Sequence, residues 1–515
     1  MKRNHPLYAL ALVLVVLCPS WGLAQALPNA STLRVVYNSR KATVNPQGEL
    51  KAQIDAVDKE VADAIRAGRM GEVRRQLAKG MALLNGIAWT PALDFQNSLA
   101  LRTDRVVADS SAPYSVRVEQ IYAPAIDLTP NLTARARLRT RAARPGAPAD
   151  AAPRDLGTFD SVSRDLRESP FAMELDVSGA DDGAYGLEVE IVDGTTSIGT
   201  TTLGVVLQKG LDARVRALLS AAAALPEAVR ADVTYPGDYI RNVNRGRIGI
   251  GTFNLAAELA AAEGLLATAK TGKDPFKGRT GDMERHYVLQ GANEVMPYRV
   301  YVPKGYLDAK PMPLVIALHG LGANEDSMFD SYQKLPPQLA EQHGFLLAAP
   351  MGYRVDGFYG SGLMGGTDAA SRRRSEYSEK DVLEVLRLMR ANYKVDESRV
   401  YLIGHSMGAI GTWFLGAKYP ETWAALVSFS GVGAPATAER MKNIPQFVVH
   451  GDADPTVNVS GSRTMVAAMQ KLGMEVTYIE VAGGNHTDVV VPNFPKAFDF
   501  LAAHAKAGTA ATKQQ

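Results

Sequence analysis

Val400-Tyr-Leu-Ile-Gly-His-Ser-Met-Gly-Ala409 decides the reading of this chain. The apolar, partly β-branched run Val400–Ile403 makes a strand, and Ile410–Lys418 beyond it has helical character. Between them Gly404, Ser406 and Gly408 fit G-x-S-x-G, which puts the serine at the tip of a sharp strand-to-helix turn. Such a turn forces strained backbone angles on the serine. Only glycines two residues to either side then fit against the adjacent strand and helix. Oγ is pushed out of the sheet, where a histidine and an incoming carbonyl can both reach it.

Working outward, 515 residues are too many for one ordinary core, which predicts two to four domains. The charges nearly balance, 56 Lys and Arg against 54 Asp and Glu. That balance offers no electrostatic case for nucleic acid or an anionic membrane as partner. Lys2 and Arg3, the apolar Leu7–Leu17 and a small-residue site at Gly22–Ala24 or Ala24–Ala26 read as a secretory signal peptide over residues 1–26. The apolar run is too short to span a bilayer, so no stable membrane anchor is expected after cleavage. The single cysteine, Cys18, falls inside that signal. Disulfides, thiolate catalysis and cysteine-bound metals are thereby excluded from the processed chain. Export to a bacterial periplasm or the medium is the expected destination.

Residues 27–111 read as a helical region. Ile54, Val57, Val61 and Ile65, then Val73, Leu77, Met81 and Leu84, recur at three- and four-residue spacings, and Gly68–Gly71 divides the two helices of a hairpin. Residues 112–207 change rhythm: short alternating runs at Tyr114–Glu119, Leu132–Leu138, Phe171–Val177 and Leu187–Val192 suggest a small β-sandwich-like domain. Ala142–Ala152, rich in Ala and Pro, reads as a loop within it. Residues 208–282 form a helical connector and linker, helical at 209–224 and 252–270. From 283 to 515 strands and helices alternate, which implies a mostly parallel sheet with crossovers. Its strands are expected at Tyr298–Val302, Leu314–Leu318, Phe345–Ala349, Val400–Ile403, Ala425–Phe429, Phe447–His450 and Val476–Val481.

A serine attacks only if a neighbouring base takes its proton, and a carboxylate must hold that base in one tautomer. The elbow within an alternating α/β pattern points to the α/β-hydrolase fold, where the chain order is Ser, then Asp or Glu, then His. Three histidines follow Ser406. His504 sits on a closing surface helix, and His450 precedes the acids. His486 remains, in Ala482-Gly-Gly-Asn-His-Thr-Asp488 directly after the last strand. The acid belongs in a loop at a strand's carboxyl end, which leaves Asp452 and Asp454 in Gly451-Asp-Ala-Asp-Pro-Thr456. Asp454 lies farther into the loop and is stiffened by Pro455. Asp452 reads as a turn residue. For the oxyanion, the N–H of Met407 is one donor, and the loop after Leu314–Leu318 supplies the other from Leu321, with Gly322 close behind. His319 and His405 read as packing groups beside the elbow.

Residues 297–505 resemble the bacterial esterase and predicted-peptidase branch of the α/β-hydrolases, including feruloyl esterases, polyhydroxybutyrate depolymerase-like esterases and prolyl-oligopeptidase-type domains. The resemblance rests on Pro297–Pro303, Leu318-His-Gly-Leu-Gly322, Val395–Gly408, Gly411-Thr-Trp413, Tyr419-Pro420 and His450-Gly-Asp-Ala-Asp454. It implies that Asp454 carries the triad acid and His486 the base. Ala409, where relatives carry a second glycine, and Thr487 after the histidine depart from the pattern. The N-terminal half resembles no named family.

The expected activity is therefore cleavage of a small-molecule or polymeric carboxylic ester through an acyl-enzyme, with no metal and no organic cofactor. A serine peptidase on the same triad is the alternative from the same fold. A non-catalytic polymer-binding protein is the alternative from another class. Oligomeric state is not legible.

Overall fold

The computed structural model describes residues 30–140, 152–251, 253–362 and 368–506. The signal-peptide reading, Cys18 and all but the last residue of Ala142–Ala152 lie outside them. The chain forms two compact units, one of residues up to 220 with 239–260, the other of 221–238 with 261 onward.

In the first unit the helices Ala30–Val44, Gly48–Arg66 and Met70–Leu84 share a core of Tyr37, Ile54, Val57, Val61, Val73, Leu77, Met81 and Leu84. Ile65 departs from the expected stripe: it is 40 % exposed, and Ala64 is buried instead. Three antiparallel strands, Leu99–Thr103, Tyr114–Gln120 and Phe171–Leu175, form one sheet. A second runs in the order Val107–Asp109, Thr196–Gln208, Gly183–Asp193, Leu132–Thr140, Arg154–Val162. Inward residues of both sheets, among them Val116, Val118, Leu138, Val189 and Leu203, meet in one core. The helices and these sheets lie in the same unit, and the first strand begins at Leu99. A boundary at 111 therefore separates no compact bodies.

The connector also differs from its reading. Glu227–Asn244 is a helix with Pro236 inside it. Pro236 beside Gly237 signals a break in sequence, since proline removes a helical hydrogen bond. Part of the connector belongs to each unit, so it is not a separate linker.

The second unit is built on eight strands: β1 (Gly281–Leu289), β2 (Glu294–Val302), β3 (Met312–Leu318), β4 (Leu346–Pro350), β5 (Val395–His405), β6 (Ala425–Phe429), β7 (Gln446–Gly451) and β8 (Val476–Val481). They lie in the order 8-7-6-5-3-4-2-1. β3 to β8 pair in parallel, and β2 runs antiparallel to both β1 and β4. The central strands are buried on both faces, which is why they read as unbroken apolar runs. β1, with charged residues at 282, 284 and 285, does not. One face packs on Trp413, Trp423, Val385 and Met389, the other on Phe329, Phe345, Phe494 and Phe498.

At the β1 edge Asp232 is buried with Arg285 and His286: its Oδ1 accepts from the His286 backbone N–H at 2.8 Å and lies 3.2 Å from Nδ1. Burial disfavours the charged imidazole, but the bonds to Asp232 and Glu284 outweigh it and raise His286 to about 9. A group with a raised folded pKa stabilises fully below its unfolded value, and the contribution fades as pH rises through the folded one. Melting measured against pH is therefore expected to show the protein losing up to about 3 kcal/mol from this group. The loss should fall between 6.5 and about 9. His286→Gln should flatten that slope; an unchanged slope would assign it to another group.

Candidate active site

β5 runs straight into the elbow. Ser406 adopts φ 58° and ψ −117°, a strained conformation, and donates its N–H to the Phe429 carbonyl at 2.9 Å. The two glycines are required by distance. A Cβ on Gly404 would stand 2.2 Å from the Gly408 carbonyl, and one on Gly408 would stand 2.1 Å from the Leu318 oxygen. Neither neighbour can move, because both are backbone. Met407–Lys418 then leaves the turn as a helix with its positive end beside Ser406.

The second and third residues come from the loops after β7 and β8. Gly451 and Gly484 bring these loops into backbone contact, since a Cβ on Gly451 would lie 2.1 Å from the Gly484 oxygen. Asp452, read from sequence as a local turn residue, instead ties this junction by accepting the Gly483 N–H of the neighbouring loop at 2.7 Å. His486 Nε2 lies 2.8 Å from Ser406 Oγ, and its Nδ1 lies 2.7 Å from Asp454 Oδ2. With Nδ1–H donating to the carboxylate, Nε2 is left to accept the serine proton. Burial pushes the Asp454 carboxyl up. The hydrogen bonds from His486 and from the Val457 and Thr456 N–H groups outweigh it and hold it below the usual range.

Around this line stand groups that sequence reasoning assigned only to packing or set aside. His405 donates Nε2–H to the His486 carbonyl at 2.9 Å, and its Nδ1 accepts from Tyr332 Oη at 2.8 Å. Ser430 Oγ donates to the same His486 carbonyl at 3.1 Å. Burial, reinforced by the neighbouring His486, pushes His405 down to about 4, so it is a neutral brace. His319 is fully buried between the Gly320 and Met351 carbonyls. His450, set aside on chain order, is buried behind Asp454. The one sequence signal for it was its place at a strand end just before Gly-x-x-Asp.

The loop after β3 runs beside Ser406: a Cβ on Gly320 would stand 3.5 Å from that of the serine. Here one expectation is corrected. The Gly322 N–H donates to the Val355 carbonyl at 2.8 Å, because the αL turn at φ 81° aims it at the neighbouring loop. It is not available to an oxyanion, which leaves Leu321 and Met407 from the expected set. Arg374, in the run Arg372–Arg374, is paired with Asp356. Among the described residues no cluster of His, Cys, Asp or Glu is arranged to hold a metal ion, and no helix is long and apolar enough to cross a membrane.

Residues 290–481 match the model of the family described as Esterase. The span reaches from the turn between β1 and β2 to the end of β8. Feruloyl esterase B of Talaromyces funiculosus is 30 % identical over 139 residues, 26 % of this chain and 35 % of that one. Acetylxylan esterase A of Talaromyces purpureogenus is 28 % identical over 172 residues, 33 % of this chain and 43 % of that one. The chain thus spans less than half the length of these curated relatives. Among solved structures, the CE1 ferulic acid esterase of Anaeromyces mucronatus aligns with a TM-score of 0.36 at 18 % identity, covering 45 % of this chain and 93 % of that one.

The glycine distances make a direct prediction. Gly408→Ala should destabilise the protein by about 3 kcal/mol or more, or prevent folding, because a methyl group would overlap the Leu318 carbonyl. A wild-type melting temperature for that variant would contradict the packing described.

Proposed function

We propose that the second unit is a serine hydrolase that cleaves carboxylic esters through an acyl-enzyme. The observation that carries this reading is the unbroken line from Ser406 Oγ through His486 to Asp454. In the first step Ser406 Oγ attacks the ester carbonyl carbon while His486 Nε2 takes its proton. Asp454 stabilises the imidazolium so formed. The carbonyl oxygen becomes an oxyanion facing the N–H groups of Met407 and Leu321, each such donor being worth on the order of 3 kcal/mol in the transition state. His486 then returns the proton to the departing alkoxide oxygen. Water, activated by the same base, releases the acid and restores Ser406.

The names of the relatives support an acyl ester carried on a sugar polymer, feruloyl or acetyl, as the substrate class. Export belongs to the same reading: Lys2-Arg3 followed by Leu7–Leu17 supports passage to the periplasm or the medium, where such polymers lie.

The test is hydrolysis of a p-nitrophenyl ester series alongside fluorophosphonate labelling. Wild type is expected to turn over and to label on Ser406, and Ser406→Ala to lose both. Absence of labelling in folded wild type would overturn the reading. Asp454→Asn, which leaves His486 without its anionic partner, should lower kcat by about 10⁴-fold with KM little changed. Leu321→Pro deletes the proposed backbone donor and should cost about a hundredfold in kcat, whereas Leu321→Ala keeps it. Equal rates for the two would remove Leu321 from the oxyanion site.

A further inference from the structure

We infer that His450 is a positioning residue that shares Asp454 with His486 and anchors the carboxylate that orients it. The inference rests on the triad reading above. His450 is the penultimate residue of β7 and is fully buried. Its Nε2 lies 3.1 Å from Asp454 Oδ2 and 2.9 Å from the Val457 carbonyl. Both neighbours only accept, so Nε2 carries a proton whatever the charge of the ring. Its Nδ1 lies 2.7 Å from Ser462 Oγ, a hydroxyl that is itself 3.1 Å from the Gly431 carbonyl. Ser462 can donate to Nδ1, or accept from it while donating to Gly431. The serine therefore fits either state of the ring without disturbing the bond to Asp454.

The consequence appears on the carboxylate. Oδ1 accepts from the N–H groups of Thr456 and Val457 at 2.7 and 2.9 Å, and Oδ2 from His486 at 2.7 Å and His450 at 3.1 Å. Four donors fix the plane of the group and aim Oδ2 at His486. Outer partners of this kind orient the group that meets His486. The other titratable groups facing this assembly are His405, whose ring is 4.9 Å from that of His486, and Glu480 on β8, which is paired with Arg463. Asp452 is turned to the Gly483 N–H. Among these, His450 is the group with a ring N–H on the Asp454 carboxylate besides His486.

The experiment follows the hydrogen-bonded His486 Nδ1–H proton by NMR in histidine-labelled full-length protein, for wild type, His450→Leu and His450→Gln. Leucine fills the space without a donor, while glutamine can set an amide N–H near the place of Nε2. His450→Leu is expected to move that resonance upfield as the bond to Asp454 loosens. kcat should fall about tenfold to a hundredfold as the carboxylate loses its aim, with KM little changed. His450→Gln should return the resonance towards wild type. A folded His450→Leu protein with an unmoved resonance would reduce His450 to packing and overturn the inference. Should leucine prevent folding, His450→Asn, whose shorter amide falls short of Asp454, replaces it, and equal resonances for Asn and Gln would overturn it equally. The NMR readout needs no turnover. A shifted resonance in a protein that hydrolyses no ester would sink the esterase reading and leave the positioning role standing.

Discussion

Backbone-to-backbone contact at the elbow is the constraint on which the site depends. Gly404 touches the Gly408 carbonyl, Gly408 touches Leu318, and the serine between them is left in a conformation that no unconstrained residue would choose. The strain is held by the parallel pairing of β5 with β3 and β6 and by the Ser406 N–H bond to Phe429. A second glycine contact, Gly451 on Gly484, performs the same service for the loops of Asp454 and His486. Neither contact involves a side chain. The distances at the site are thus set by main-chain packing, the least deformable element available.

On that frame hydrogen bonds do the fine placement. The His486 carbonyl is gripped by His405 and Ser430, and the Asp454 carboxylate by four donors. Three of the chain's eight histidines therefore stand within three hydrogen bonds of the serine. Burial keeps His405 neutral beside His486.

Much of this was legible in the sequence where a single local rule decides the outcome. The elbow needs glycine at two spacings, and the strands buried on both faces leave apolar runs that nothing else explains. Chain order excluded His450 and a place on the closing helix excluded His504, which left His486, and the structure brings Ser406, His486 and Asp454 within hydrogen-bond distance. What escaped was non-local. The helix Glu227–Asn244 tolerates Pro236 in its interior, which no propensity argument anticipates. β1 carries charged residues that are paired by a helix far away in sequence, Asp232 meeting Arg285 and His286. The direction of the Gly322 N–H is fixed by Val355, more than thirty residues on. The same holds for His450: chain order sets it aside as the base but is silent on its contact with Asp454.

The loop that carries Leu321 separates two jobs. Its main chain is tied down at Gly322 by Val355, while the side chains of Leu321 and Val355 are 52 % and 40 % exposed. What those side chains are matters little to the tie, since only an amide and a carbonyl make it. Mutation can therefore resculpt the rim of the site, residue by residue, while the reactive geometry stays constant. A loop with this division of labour can exchange its exposed side chains at low cost in stability.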